Sequence, residues 1–487
     1  MTTETAPPQT LRRELRLLET VALSVGVMAP TLAMSITGPA VAAHLGRATP
    51  LAFVIAGICV ALVAFGFVRL ASEFSHAGSV YAFVGLSLAP RWGFVAGCAL
   101  LGTYLLFPWV SIAGVTIFTR AFLDTTGLVH NAEWYPIALV AWALIWLLAV
   151  IGIRPTTRWL IVFELVSVLL ILVLMVTIVV RLATGTHTIG DSDGLPGSVF
   201  RLPSGVGIDA IALAATSGFL AFAGFESAAS LGEESLRPRH EIPRALWTAV
   251  GFGTVFYIAC MTTQSWGFGV NDAGVTAFSS SQASLGDLAQ HYSGKTLAAL
   301  LDVGAVLSAI GAGLGCVIVA VRMLFALGRD RIMAGQLGTV TPHSRVPGKA
   351  LAFEMTLGLV LLTAFRLEGT PPLSVFFYLA TIGVLSLLCM YTLTNVAALR
   401  RLGRRSVWEA LLPVVGAAIA GYVLYRNVWP VQPAPYRYFP YAVLAWLTAA
   451  LLATFAVPPL VQRAGTQLLE RTEQDEDARA NRVRAPG

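Results

Sequence analysis

Twelve apolar stretches, each near the roughly 20 helical residues that cross a hydrocarbon core, recur along this chain, and nothing else constrains its fold so strongly. They lie at about 20–43, 51–68, 93–119, 136–153, 159–180 and 210–232, then 245–266, 303–321, 350–365, 372–399, 410–425 and 438–462. A backbone in lipid must satisfy its own polar groups, so the stretches read as helices. With 56% hydrophobic and only 12% charged residues, the soluble alternative is excluded.

The basic residues test the count. With the N-terminus inside, 24 of the 32 Lys and Arg fall in cytoplasmic loops and 8 on the other side, the bias expected when the termini are cytoplasmic. The net charge of +6 therefore calls for no nucleic-acid partner. The partner it implies is the lipid bilayer. Cys59, Cys98, Cys260, Cys316 and Cys389 all sit inside apolar stretches and read as small core residues. A long first stretch followed by eleven more reads as a retained span, not as a cleaved leader.

Residues 217–246, SGFLAFAGFESAASLGEESLRPRHEIPRAL, place a carboxylate inside the sixth span, two residues after a glycine. A charge there costs on the order of 3 kcal/mol or more and is kept where it lines a cavity or meets a partner. The first span carries Pro30 near its middle, which removes a backbone hydrogen bond and obstructs the preceding turn. Spans one and six each open a set of five, so the two interrupted helices occupy matching positions. Such pairing points to an inverted repeat with a site near the midplane.

Two further stretches accompany this one. AGSVY at 77–81 follows the second span, and VRMLFALGRDR at 321–331 closes the eighth. Together with GFESAASLGEESLRPRHEIPRAL, they resemble the signatures of the amino acid, polyamine and organocation (APC) superfamily of permeases. The resemblance implies an all-α polytopic protein of twelve transmembrane helices, with a five-plus-five inverted repeat, broken helices one and six and two C-terminal helices. It also implies alternating access and transport of an amino acid or related amine. The expected organisation is a cytoplasmic segment at 1–17, a first repeat at 18–182, a second at 207–400, helices eleven and twelve at 406–462, and a cytoplasmic tail at 463–487.

Three departures qualify the match. The first-helix stretch at 28–32 is MAPTL, where many members have a glycine pair whose amides take a substrate carboxylate. Arg69 stands where many have an acidic residue and, with AGSVY, resembles the putrescine-importer-like branch. Ser167 stands where some proton-coupled members have a lysine.

Glu226 is the leading candidate, for a substrate ammonium, a coupled proton, or both in turn, against the alternative of a carboxylate pinned in a structural hydrogen-bond network. Phe222, Ala223, Gly224 and Phe225 supply carbonyls and an aromatic gate, or in the case of the two phenylalanines, packing. Ala29, Pro30 and Thr31 frame the opposite wall at the start of the outer half-helix, where amides attract anions. Thr31 and Ser35 either face the ligand or bond back to their own helix. Tyr104 and Trp109 either line the cavity or pack. Glu164, Ser167 and Ser308 are weaker coupling candidates, and Glu233, Glu234 and Arg322 form an inner gate or a structural ion-pair cluster.

No cofactor or metal is called for. GAGLG at 311–315 lacks the strand and the Lys-Ser/Thr of a phosphate loop, and the seven histidines show no paired spacing. No nucleophile, base and orienter group together, which argues against a membrane enzyme; a channel is a second rival. The chain reads as a plasma-membrane, proton-coupled or exchanging carrier of an amino acid, with a polyamine or other organic amine as the second substrate class.

Overall fold

A computed structural model describes residues 13–470, apart from 152, 193, 342–345, 404–405, 460 and 464. The start of the expected N-terminal segment, residues 1–12, and most of the expected tail, residues 471–487, lie outside the described residues, as do Arg345, Arg404 and Arg405 of the charge count. The chain is 82% helix, and the described residues contain no strand, only one isolated bridge between Leu15 and Ser235.

In chain order the helices are α1 (Leu17–Met28), α2 (Pro30–Leu45), α3 (Thr49–Glu73), α4 (Val80–Ser87), α5 (Pro90–Tyr104), α6 (Phe107–Thr126), α7 (Trp134–Ile151), α8 (Ile153–Ala183) and α9 (Ile208–Phe222). A 3₁₀ helix, Phe225–Leu231, follows α9. Then come α10 (Pro238–Phe268), α11 (Asp272–Ser280), α12 (Ser284–Ser293), α13 (Lys295–Arg329), α14 (Gly348–Leu367), α15 (Pro372–Leu402), α16 (Val407–Val428) and α17 (Phe439–Ala456).

Ten stretches among the described residues are long and apolar enough to cross a membrane. One of them, Leu17–Glu73, runs through α1, α2 and α3. The expected sixth span is divided between the 15 residues of α9 and the 3₁₀ helix. The third span is also divided, at Leu105–Leu106, because Pro108 can start α6 but cannot continue α5. The short helices α4, α11 and α12 lie between spans and carry no periodic apolar signal of membrane length.

Proline and glycine explain the two main breaks. Pro30 opens α2 at its first position, and Ala29 before it turns left-handed at φ 46°. α9 ends at Phe222, Ala223 caps it, Gly224 adopts φ 110°, and the tighter 3₁₀ helix begins at Phe225. Glycine takes that conformation without the steric cost a Cβ would bring. The 35-residue α13 packs along α6 and α8 and places its middle turns beside both breaks.

Candidate functional site

The breaks touch each other. A Cβ at Gly224 would lie 2.5 Å from Val27 Cγ1 and 2.9 Å from the Met28 nitrogen. Only hydrogen fits between them. Ser24 of α1 stitches the same contact, donating to the Phe225 carbonyl at 2.7 Å and accepting from the Ala228 amide at 3.3 Å.

Glu226 lies at the start of the 3₁₀ helix, 2% exposed. Tyr104 donates to its Oε1 at 2.7 Å, Tyr391 of α15 donates to its Oε2 at 2.9 Å, and the Gly224 amide reaches Oε2 at 3.2 Å. The carboxylate thus joins the second break to the divided third span and to α15. Phe225 packs against Tyr391 and Phe67, with ring centroids 5.6 and 5.9 Å apart. Phe222 packs against Tyr257 at 5.0 Å.

Beside the breaks is a cavity of about 40 Å³, lined in part by Ala29, Ala223, Phe107, Ser111, Cys316 and Phe376. Its walls come from α1, α2, α6, α9, α13 and α15, and they are mostly apolar.

Glu164 of α8 meets the first break from the other side. Its carboxylate accepts from Ser308, whose Oγ is 3.0 Å from Oε2, and lies close to the Thr31 amide. Thr31 Oγ1 is buried without a partner among the described residues. Ser35 bonds back to the Thr31 carbonyl at 2.9 Å, and Ser167 bonds to the Phe163 carbonyl at 2.9 Å. Trp109 sits away from this cluster, donating to the Leu105 carbonyl at 2.8 Å and packing its indole on Gly358.

Tyr391, Ser24 and Cys316 are the site residues that sequence reasoning missed. Each is a single small or aromatic residue in an apolar stretch, and no spacing marks it. A polar atom opposite Glu226 was the one requirement the sequence imposed, and Tyr391 meets it from a helix far along the chain.

The end of the molecule below the breaks gathers three motifs. Glu234 and Arg322 form a buried bidentate pair at 2.5 and 2.9 Å, and Glu233 and Arg329 form another at 2.6 and 2.8 Å. Glu233 also accepts from the Ala77 amide at 3.1 Å, which brings AGSVY, the Glu-Glu pair and VRMLFALGRDR together. The amides of Glu14 and Leu15 both donate to the Glu234 carbonyl at 3.0 Å, so the lower ends of both interrupted helices are tied at one place. Arg69, the departure after the second span, pairs with Glu409 of α16. Removing one partner of a buried pair leaves an uncompensated charge at a cost of about 3–5 kcal/mol. Arg322→Ala should therefore lower the thermal unfolding midpoint sharply, and adding Glu234→Ala should restore part of the loss.

The profile of the amino acid permease family matches residues 20–428, from α1 through α16. The chain belongs to this family. It is a transporter and not an enzyme. The permease is 26% identical over 412 residues to an uncharacterised transporter of Mycobacterium tuberculosis, covering 84% of this chain and 85% of that one. It is 24% identical over 415 residues to the branched-chain amino acid permease BcaP of Bacillus subtilis, covering 81% and 82%. A methylthioribose transporter of the same bacterium is 25% identical over 355 residues, covering 70% and 72%. As a multi-pass membrane protein of this family, the permease acts on a small molecule of the amino acid kind.

Proposed function

We propose that the permease is a secondary active transporter that carries an amino acid across the plasma membrane by alternating access, coupled to protons or to exchange, with both termini cytoplasmic. The observation that carries this is the direct contact of the two breaks beside the cavity, with Glu226 at their junction. Dividing Leu17–Glu73 into two spans and adding the α9 passage to the ten gives twelve, which supports the five-plus-five inverted repeat with two further helices. Substrate sits between α1–α2 and the α9 break near the midplane, and one five-helix set rocks against the other. The Glu233–Arg329 and Glu234–Arg322 pairs close the cytoplasmic side and exchange partners with water when it opens.

A second substrate class is favoured by Glu164. Its carboxylate lies close to the Thr31 amide at the first break, while Glu226 accepts from the Gly224 amide at the second. An incoming carboxylate has to displace one of them, whereas an ammonium group meets two acceptors. Neutral amino acids and organic amines are therefore distinguished by the same experiment. Counterflow in liposomes, with labelled leucine, lysine and putrescine, is measured with and without a pH gradient. Exchange of leucine supports the amino acid reading, and exchange of putrescine alone supports the amine. Absence of accelerated exchange with every compound in an extended panel of amino acids and amines overturns the carrier reading.

A further inference from the structure

Glu354 stands apart from the cluster around Glu226. It is the seventh residue of α14, and at about 1.5 Å per residue it lies roughly 9 Å from the helix end that carries Lys349. Its side chain is 0% exposed, and neither carboxylate oxygen meets a hydrogen-bond partner among the described residues. One turn further, on the same face, Gly358 packs so closely on the Trp109 indole that an added Cβ would come within 1.9 Å of it. This face of α14 is thereby held against the start of α6, next to the division that separates Tyr104 from Phe107. Cys316 of α13 lines the cavity and lies within electrostatic reach of both Glu226 and Glu354.

The remaining titratable groups on the elements packed around α14 face elsewhere. Tyr135 of α7 bonds Thr363 near the opposite end of α14. Arg120 and Asp124 lie in the last turns of α6, and Asp302 lies toward the start of α13. Arg322 and Arg329 are committed to Glu234 and Glu233. On α14 itself, Lys349 reaches toward Gln336 and Arg366 pairs with Glu133. Among the described residues, no cation neutralises Glu354.

A carboxylate enclosed without donors is stable in that enclosure only in its protonated, neutral form. Any conformation that admits water to the face between α13 and α14 stabilises the charged form instead. The charge state and the conformation are therefore linked. We propose that Glu354 is a proton-binding site of the transport cycle, separate from Glu226, which takes up a proton from water as the permease closes around it and releases it on the Lys349 side. Loading forms one O–H bond at the carboxylate, and release returns the proton to water with no other bond changed. This assignment rests on the carrier reading, and it adds a second protonatable carboxylate beside the cavity wall.

Two measurements on the full chain test it. Infrared spectra of the purified protein at neutral pH should contain a protonated-carboxyl C=O band that Glu354→Gln removes and Glu226→Gln leaves. In liposomes, Glu354→Gln should lower the ratio of pH-driven accumulation to counterflow at least about tenfold, within the usual range for coupling between linked sites. Labelled leucine, lysine and putrescine serve as probes. If Glu354→Gln is not recovered folded, Glu354→Asp should still accumulate substrate, with its internal-pH profile displaced from that of the wild type. No change in the band, a wild-type ratio in Glu354→Gln, or a wild-type profile in Glu354→Asp each overturns the assignment while leaving the carrier intact. Absence of counterflow in the wild type overturns both.

Discussion

Glu226→Gln is expected to lower substrate transport about 10- to 100-fold, the range set by losing hydrogen bonds to a charged group. The replacement keeps the shape but not the acceptors. Tyr104 donates to one carboxylate oxygen, and Tyr391 and the Gly224 amide donate to the other. A glutamine presents one oxygen and one NH₂, so at least one of the three bonds to the carboxylate is lost or, at a tyrosine hydroxyl, has to reverse its direction. Tyr391→Phe provides the control, because it deletes a single donor and leaves the carboxylate in place. It should retain more activity than Glu226→Gln, and the double variant should fall no further than the sum of the two. Initial rates of labelled-substrate uptake into liposomes measure all three, normalised to reconstituted protein. A Gln variant with wild-type rates would remove Glu226 from the site.

Gly224→Ala should be strongly damaging to the permease. Gly224 has φ 110°, and a left-handed conformation costs a residue with a Cβ about 1–2 kcal/mol. The new methyl would also press into Val27 and the Met28 backbone at 2.5 and 2.9 Å, and overpacking of this kind costs about 1–3 kcal/mol. Backbone atoms cannot rotate away as a flexible side chain can, so the breaks must separate. We expect a markedly lower unfolding midpoint and loss of transport in whatever protein folds. Gly251→Ala is a suitable comparison, since a Cβ there meets nothing within 4 Å, and it should behave as wild type. Equal unfolding midpoints for the two variants would show that the breaks do not press on each other.

What could be read from the sequence followed from local chemistry. Pro30 and Gly224 announced their breaks because each alters the backbone at its own position, and Glu226 announced itself by its cost in an apolar helix. The acidic pair at 233–234 was legible for the same reason, and the structure answered it with Arg322 and Arg329. Long-range partners were not legible. Tyr391 lies 165 residues from Glu226 in sequence, and nothing in its surroundings distinguishes it from a packed aromatic. Trp109 could line the cavity or pack, and the division at Leu105–Leu106 turns it onto Gly358. Glu164 was seen as a carboxylate, but its bond to Ser308 and its place near the first break depend on how α8 crosses α13 and α2. Glu354 went unremarked because an acidic residue seven positions into an apolar helix resembles an ordinary helix end until its burial is known.

If substrate enters the space between the two breaks, Cys316 is a native reporter of it in the cavity wall. In a protein whose Cys59, Cys98, Cys260 and Cys389 are replaced by alanine, the rate of maleimide labelling at Cys316 is followed in liposomes. Labelling should proceed as the permease alternates, and saturating amounts of a compound that the wild type exchanges should slow it. An unchanged labelling rate, in a protein that still transports that compound, would place the substrate elsewhere and contradict the account.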